Sequence, residues 1–263
     1  MFCVLVAGFT IRFHNQYERF RELCEGYLIE NIQEPDFDVP ALDEEIISQR
    51  WFYQHDPNQE IRDRGQVEYN ITPLRYFYPQ LPSRGAFWIH AAAIEMEGIG
   101  YALTATSGYG KSTQGRLWLS RYPEQAKIIN GDEPIVRKMD GEYRIYGTPF
   151  CGKEGYHVNT DVPLHGLCWL QHGEENKIEP LGPLYAYAAF VRDYQHMGSM
   201  TPENREAYMT LLEDFFEHVP AYILTCNQEP GAAETAYEGM KVGWEHFCQE
   251  RQSQRKEIKS VLP

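Results

Sequence analysis

The sequence predicts a mixed α/β fold, with a central sheet and a smaller α+β subdomain at the N-terminus. The order strand, glycine-bearing loop, helix and strand lies between residues 99 and 130. Hairpin patterns with two-residue turns occur at Glu97-Gly98 and Asp140-Gly141. The chain has 263 residues, 43% of them hydrophobic, which is enough to bury one large core or two modest ones.

We expect two domains, an N-terminal subdomain over 1–85 and a larger domain over 86–263. The apolar start Met1–Phe13 predicts paired buried strands, since it lacks a positive lead-in and a cleavage site and is too short to cross a bilayer. A helix follows around Gln16–Tyr27, and then the acidic, proline-broken stretch Asn31–Glu45. The sequence assigns no chemistry to this subdomain.

The larger domain begins with two extended runs, Phe87–Met96 and Ile99–Ala105. A helix is predicted after Lys111 and ends before Pro123, and Ala126–Asn130 then predicts a short buried strand. The later predicted elements are a hairpin over Pro134–Tyr146, a strand Leu164–Gln171 that turns at Gly173–Asn176 into Lys177–Leu181, helices over Pro183–Arg192 and Pro202–His218, a strand Ala221–Cys226, and a helix from about Gly231 to Phe247.

The net charge and the cysteine pattern indicate which binding partners are disfavoured and in which redox compartment the chain is expected. A formal net charge of −14 disfavours nucleic acid and anionic membranes, because both polyanions would be repelled. The six cysteines show no paired short spacing, so neither a zinc site nor a disulfide framework is indicated, and we expect reduced thiols in a cytoplasm. The sequence leaves homo-oligomerisation open.

The segment Ala105–Ser112 fits a phosphate-binding loop, with alanine at the first position where glycine is commoner. Gly108 and Gly110 would let backbone N–H groups point at phosphate oxygens, and the following helix adds the positive end of its dipole. Lys111 would reach the β and γ phosphates of ATP. The residues expected to bind the nucleotide are Ser107, Gly108, Tyr109, Gly110, Lys111, Ser112 and Thr113.

A magnesium ion beside the phosphates needs hard oxygen ligands. The hydroxyl of Ser112 is one candidate. The strand that ends at Asn130 delivers the second, Asp132, to the end of the sheet that holds the loop, if that strand runs parallel to the strand entering the loop. The competing interpretation is that Asp132 is a plain turn residue before Pro134.

The stretch from His90 to Ser112 resembles the catalytic core of bacterial HPr kinase/phosphorylase, in which a histidine opens a hairpin leading into a loop of the form S-G-x-G-K-S. His90 precedes Lys111 by 21 residues, the spacing associated with that family. The resemblance extends to the phosphoenolpyruvate carboxykinases, which share the nucleotide fold, and to compact bacterial relatives of HPr kinase. It implies an ATP- and Mg²⁺-dependent phosphotransferase whose acceptor is a hydroxyl on a peptide, protein or small metabolite.

Two consecutive acids follow the next strand in HPr kinase, one as base and one beside the metal, whereas this chain has Gly131-Asp132-Glu133. If Asp132 matches the first acid, it takes the hydroxyl proton and Glu133 supports the metal. The candidates for assisting the acceptor are thus Asp132 or Glu133, together with His90. If Asp132 matches the second acid, the base is missing, and the chain is a nucleotide-responsive binding module without transfer. A third hypothesis is carboxylation chemistry like that of phosphoenolpyruvate carboxykinase. It needs ligands for an additional metal and for an oxyacid, and the sequence shows none that can be recognised.

The turn-rich segment Gly147–Lys153 stands where HPr kinase carries a segment that gates phosphorolysis. Lys153 in it is a cation suited to a transferring phosphoryl group or an acidic substrate. The alternative is an ordinary solvated loop lysine. Cys151 beside it is predicted to be a plain loop thiol and not a nucleophile.

Overall fold

The computed structural model describes residues 1–53, 63–106, 110–193 and 200–261. Strands β1 to β13 span Phe2–Val6, Phe9–Phe13, Leu28–Ile29, Phe37–Val39, Ala86–Trp88, Ala91–Met96, Ile99–Thr104, Ala126–Asn130, Ile135–Met139, Glu142–Tyr146, Asp161–His172, Lys177–Leu181 and Ala221–Cys226. Helices α1 to α7 span Glu18–Leu23, Glu44–Tyr53, Arg64–Thr72, Lys111–Arg121, Pro183–Asp193, Pro202–His218 and Gly231–Val261.

A four-stranded sheet in the order β3-β1-β2-β4 occupies the N-terminal region. β1 and β2 form an antiparallel hairpin whose turn, Ala7-Gly8, has positive φ at both residues, as a tight two-residue turn requires. The predicted strand pair is therefore confirmed. The predicted helix around 16–27 is shorter, consisting of α1 and one helical turn over Glu25–Tyr27.

A nine-stranded mixed sheet, curled on itself, forms the larger part of the fold. One path through it runs β5-β9-β10-β11-β7-β6-β8. The two hairpins predicted from dipeptides are present: the turn Glu97-Gly98 joins β6 to β7, and Asp140-Gly141 joins β9 to β10. All four turn residues have positive φ, which explains the glycine at each second position.

One predicted connection is wrong. β12 does not pair with β11 as a hairpin partner, because β13 lies between them, parallel to β11 and antiparallel to β12. The burial of the two strands explains this strand order: β13 is mostly buried and suits the inner position, whereas β12 is mostly exposed and suits the edge. β12 also contains Pro180, which lacks an N–H to donate and is tolerated at an edge.

The main hydrophobic core contains residues from both sides of the predicted boundary at 85/86. Phe13 and Tyr69 from the N-terminal region both pack against Phe150, with ring centroids 6.3 and 5.2 Å apart. A second core lies under α4 and α7, around Trp118 and Tyr237. Among the described residues, no helix has both the length and the apolar character needed to cross a bilayer.

Candidate functional site

The strand order explains how residues distant in sequence meet at one edge of the large sheet. β6 runs antiparallel between β7 and β8, so its first residue lies where its two neighbours end. His90 directly precedes β6. Its backbone carbonyl accepts a hydrogen bond from the Thr104 hydroxyl at 2.9 Å, and the next amide, of Ala91, donates to the carbonyl of Asp132 at 3.0 Å. β8 is thus parallel to β7, as predicted, but not adjacent to it.

Helix α4 begins at the same edge of the sheet. Gly110 precedes it with φ +102°, a conformation that side-chain-bearing residues rarely adopt. Lys111 is the first helical residue, and Ser112 and Thr113 are half-buried in the first turn. The predicted loop residues Ser107, Gly108 and Tyr109 lie outside the described residues.

The structure brings Lys111, His90 and Asp132 into direct contact. The His90 Nε2 atom lies 2.9 Å from the Lys111 Nζ atom and 2.9 Å from the Asp132 Oδ1 atom. Nε2 carries at most one hydrogen, so it either donates to the carboxylate or accepts from the ammonium, but not both at once. The cation and the carboxylate therefore compete for the same ring nitrogen.

Lys111 is buried, with 8% of its surface exposed. Burial lowers the pKa of its amine, and the nearby carboxylates of Asp132 and Glu154 act in the opposite direction. A buried ammonium is costly unless an anion compensates it. The position of Lys111 at a helix N-terminus therefore favours an incoming anion such as a phosphate.

Glu133 faces different partners from Asp132. The Tyr78 hydroxyl donates to its Oε2 atom at 3.0 Å, and the Tyr78 ring stacks on Trp88 with centroids 5.1 Å apart. Burial, and then the negative charge of Asp132, raise the pKa of Glu133 to about 8, while the hydrogen bond from Tyr78 lowers it. Glu133 is thus held against the N-terminal region with its carboxyl favoured in the neutral form at pH 7.

Two buried polar residues that were not predicted from the sequence, Asn130 and Thr148, connect the loop holding Asp132 to the neighbouring loop. The Asn130 Oδ1 atom accepts from the amides of Asp132 and Glu133, both at 2.8 Å. Its Nδ2 atom donates to the carbonyls of Thr148 and Phe150 and to the Thr148 hydroxyl at 3.0 to 3.1 Å. The sequence does contain one signal for Asn130: an asparagine that ends an apolar strand and precedes Gly-Asp is typical of a side chain that bonds to the backbone of the next turn.

The second loop lies directly against the Asp132 side chain. Gly152 has φ +73°, and a Cβ atom there would lie 3.0 Å from the Asp132 Oδ2 atom. A Cβ on Gly131 would lie 3.1 Å from the Cys151 carbonyl, so the absence of a side chain at 131 lets the two loops approach. Lys153 is exposed on this loop, one residue beyond Gly152.

Cys151 is buried in the same loop, and burial raises the pKa of its thiol to about 11. A thiol with a raised pKa is a poor nucleophile at neutral pH. This supports its interpretation as a plain loop thiol.

The chemistry of the residues at this edge fits Mg²⁺. No group of three or more His, Cys, Asp or Glu side chains suited to a metal occurs in the described parts of the chain. Mg²⁺ does not need one, because it commonly takes one or two protein oxygens and completes its shell with water and phosphate. The carboxylate of Asp132 and the hydroxyl of Ser112 offer oxygen atoms of the kind that Mg²⁺ binds.

The fold and this cluster define a mixed α/β protein with a buried lysine at the N-terminus of a helix on the sheet edge. A family model described as SynChlorMet cassette protein ScmC matches residues 66–232, more than half of the chain. The chain therefore belongs to this family.

Among solved structures, the chain is similar to the HPr(Ser) kinase/phosphatase from Coxiella burnetii, with 11% sequence identity and a TM-score of 0.39. The match covers 63% of this chain and 96% of that chain. A likeness at this level carries no argument about function. A comparison with curated proteins finds no match.

Proposed function

We propose that this chain is an ATP-dependent phosphotransferase that moves the γ-phosphoryl group to a hydroxyl on a peptide, protein or small metabolite. The observation that carries the proposal is the buried Lys111 ammonium at the start of α4. Within the described residues its amine contacts the His90 ring, with no carboxylate oxygen within 4.0 Å. A buried cation with no carboxylate oxygen in direct contact is available to an anion.

Each residue of the cluster has a distinct part in this proposal. Lys111 and the first-turn amides of α4 neutralise the β and γ phosphates. As Lys111 turns to the phosphates, the His90 Nε2 atom is released and donates to Asp132. Asp132 then orients the acceptor hydroxyl or takes its proton. Lys153, on the exposed loop beside Asp132, meets the transferring phosphoryl group or an acidic part of the acceptor.

Mg²⁺ would be held by Ser112 and Asp132, and when bound it would supply positive charge that offsets the charge of the phosphates. ATP and Mg²⁺ are thus the proposed cofactors.

A second function, a nucleotide-responsive binding module without transfer, is favoured by the position of Glu133. Its contact with Tyr78 and its raised pKa make Glu133 unsuited to support a metal ion. Asp132 is then the one acid left both to hold Mg²⁺ and to act as base towards the acceptor hydroxyl. If Asp132 serves the metal alone, no base remains for the acceptor. This module would bind Mg-ATP as tightly as a kinase but would not consume it.

The first experiment compares Mg-ATP binding by titration calorimetry for the wild-type chain, Lys111→Met and Lys127→Met. Lys127 is a matched control, because its side chain is 70% exposed on β8. We expect Lys111→Met to lose at least about tenfold in affinity, corresponding to about 1.4 kcal/mol, and Lys127→Met to match the wild type. Equal affinities for all three proteins would contradict the proposal.

The second experiment separates the two functions. Wild-type protein and Lys111→Met receive Mg-ATP labelled in the γ-phosphate, with a pool of serine- and threonine-containing peptides and a pool of polyols as acceptors. A kinase transfers the label to an acceptor in a Lys111-dependent way. Binding with no transfer and no ADP formation would favour the module.

A further inference from the structure

Asn130 is the centre of a closed hydrogen-bond network behind the proposed site. A primary amide offers two N–H donors and two acceptor lone pairs, and Asn130 uses them all: two amides donate to its oxygen, and its nitrogen serves three acceptors. Its side chain is fully buried, as is that of Thr148. A network that is completely satisfied and excluded from water holds its members in one geometry.

Thr148 completes the network from the second loop. Its hydroxyl donates to the backbone carbonyl of Glu133 at 2.8 Å and accepts from the amide of Phe150 at 3.2 Å. Four residues after Thr148, Gly152 lies against the Asp132 carboxylate. The same network therefore sets the backbone of Asp132 through Asn130 and the surroundings of its side chain through the loop that Thr148 anchors.

We infer that Asn130 and Thr148 are positioning residues that fix the Asp132 carboxylate for a nucleotide-bound Mg²⁺; this inference rests on the proposed function. Neither residue contacts Lys111 in the described structure, and Lys111 is held by α4 and His90. Loss of the network should therefore weaken the metal-dependent part of nucleotide binding and leave the lysine-dependent part intact. A residue needed only for folding would affect both parts together.

The experiment compares the wild-type chain with Thr148→Val, which removes the hydroxyl and keeps the shape, and with Thr148→Ser, which keeps the hydroxyl. The affinity for ATP is measured by calorimetry once with EDTA and once with Mg²⁺, after thermal unfolding has shown that each variant is folded. Hydrogen exchange then follows the amides of Asp132 and Glu133. If Thr148→Val does not fold, Thr148→Cys, with its weak S–H donor, replaces it.

Thr148→Val should lose about tenfold or more of the Mg²⁺-dependent gain in affinity, in line with the usual effect of removing a residue that orients a metal ligand. Its affinity in EDTA should be unchanged, the two amides should exchange faster, and Thr148→Ser should behave like the wild type. An unchanged Mg²⁺-dependent gain in Thr148→Val would overturn the inference. An equal loss in EDTA and in Mg²⁺ would do the same, because it indicates a structural role only.

The wild-type protein distinguishes this inference from the proposed function. Wild-type binding of ATP with no effect of Mg²⁺ would overturn the positioning role while nucleotide binding stands. No wild-type binding of ATP under either condition would overturn the proposed function, and the positioning role with it.

Discussion

At the scale of single residues, the Lys111 ammonium and the Asp132 carboxylate meet at one nitrogen of His90. The contact follows from β6 beginning between the ends of two parallel strands. In the proposed function, this histidine holds the lysine while no phosphate is present and orients the aspartate once the lysine has left. The sequence indicated Lys111 and Asp132 from local patterns, and His90 through the resemblance to HPr kinase, in which a histidine stands at this spacing from the lysine. It gave no means of predicting which ring atom contacts which partner.

Glu133 gives the first prediction. Its pKa is about 8 in the folded chain and near 4.5 in the unfolded one, so between these values the folded state binds the extra proton. The contribution of Glu133 to stability therefore falls as pH rises from about 4.5 to about 8, with a slope of at most about 1.4 kcal/mol per pH unit. Burial of His165, which lowers its pKa to about 4, contributes in the opposite direction below about pH 6.5. Glu133→Gln should remove this contribution of Glu133, so its stability relative to the wild type should increase with pH in urea unfolding measured across the range.

The matched control for Glu133 is Glu175→Gln, at an exposed turn. It should keep the wild-type dependence on pH. A difference in stability between the wild type and Glu133→Gln that stays constant between pH 5 and pH 8 would show that Glu133 is ionised in the fold.

The second prediction concerns Gly152 and Gly155, which have nearly equal φ values of +73° and +70°. Alanine at either position should cost about 1 kcal/mol of backbone strain. Only at 152 does the added Cβ atom meet Asp132, since nothing lies within 4 Å of a Cβ at 155. Gly152→Ala should therefore weaken Mg-ATP binding and Gly155→Ala should not, as measured by calorimetry. Equal effects of the two substitutions would argue against a part for Asp132 in Mg-ATP binding.

At the scale of elements, short-range signals predicted the hairpins, the helix after Lys111 and the strand Ala126–Asn130, because turn dipeptides and apolar runs act locally. The insertion of β13 between β11 and β12 was not predictable in this way. It depends on burial of β13 against residues far along the chain, and a hairpin pattern cannot distinguish an adjacent partner from a later one. Asn130 was missed for a related reason, since three of its five hydrogen bonds go to residues 18 to 20 positions later.

The third prediction tests how α3 supports the second loop of the site. The hydroxyl of Tyr69, which is 6% exposed, donates to the carbonyl of Pro149 at 2.5 Å. Tyr69→Phe leaves that carbonyl without its donor and should lower the free energy of unfolding by about 1 to 3 kcal/mol. Tyr185→Phe is the control, because Tyr185 is 73% exposed. Equal stability of the two variants in urea unfolding would mean that the Tyr69 bond contributes nothing.

At the scale of the whole molecule, the main core joins the N-terminal region to the large sheet. Phe13 and Tyr69 both pack on Phe150, two residues after Thr148, so these two residues of the N-terminal region support the loop beside Asp132. The sequence predicted a boundary at 85/86 from punctuation and composition. Packing across that boundary depends on tertiary contacts, which such local signals do not report.

The fourth prediction follows from this shared core. The fragment 86–263 should lack a cooperative thermal transition, because it exposes the apolar surface that the N-terminal region covers. Addition of the separate fragment 1–85 should restore part of the transition. A fragment 86–263 that unfolds cooperatively at the wild-type temperature would show that the two regions fold independently.

The most direct test of the central claim is a crystal structure of the wild-type chain with Mg²⁺ and a non-hydrolysable ATP analogue. We predict that the Lys111 Nζ atom leaves His90 and contacts the β and γ phosphates, while the His90 Nε2 atom stays within hydrogen-bond distance of Asp132. A structure in which the analogue binds elsewhere and Lys111 remains on His90 would contradict the account.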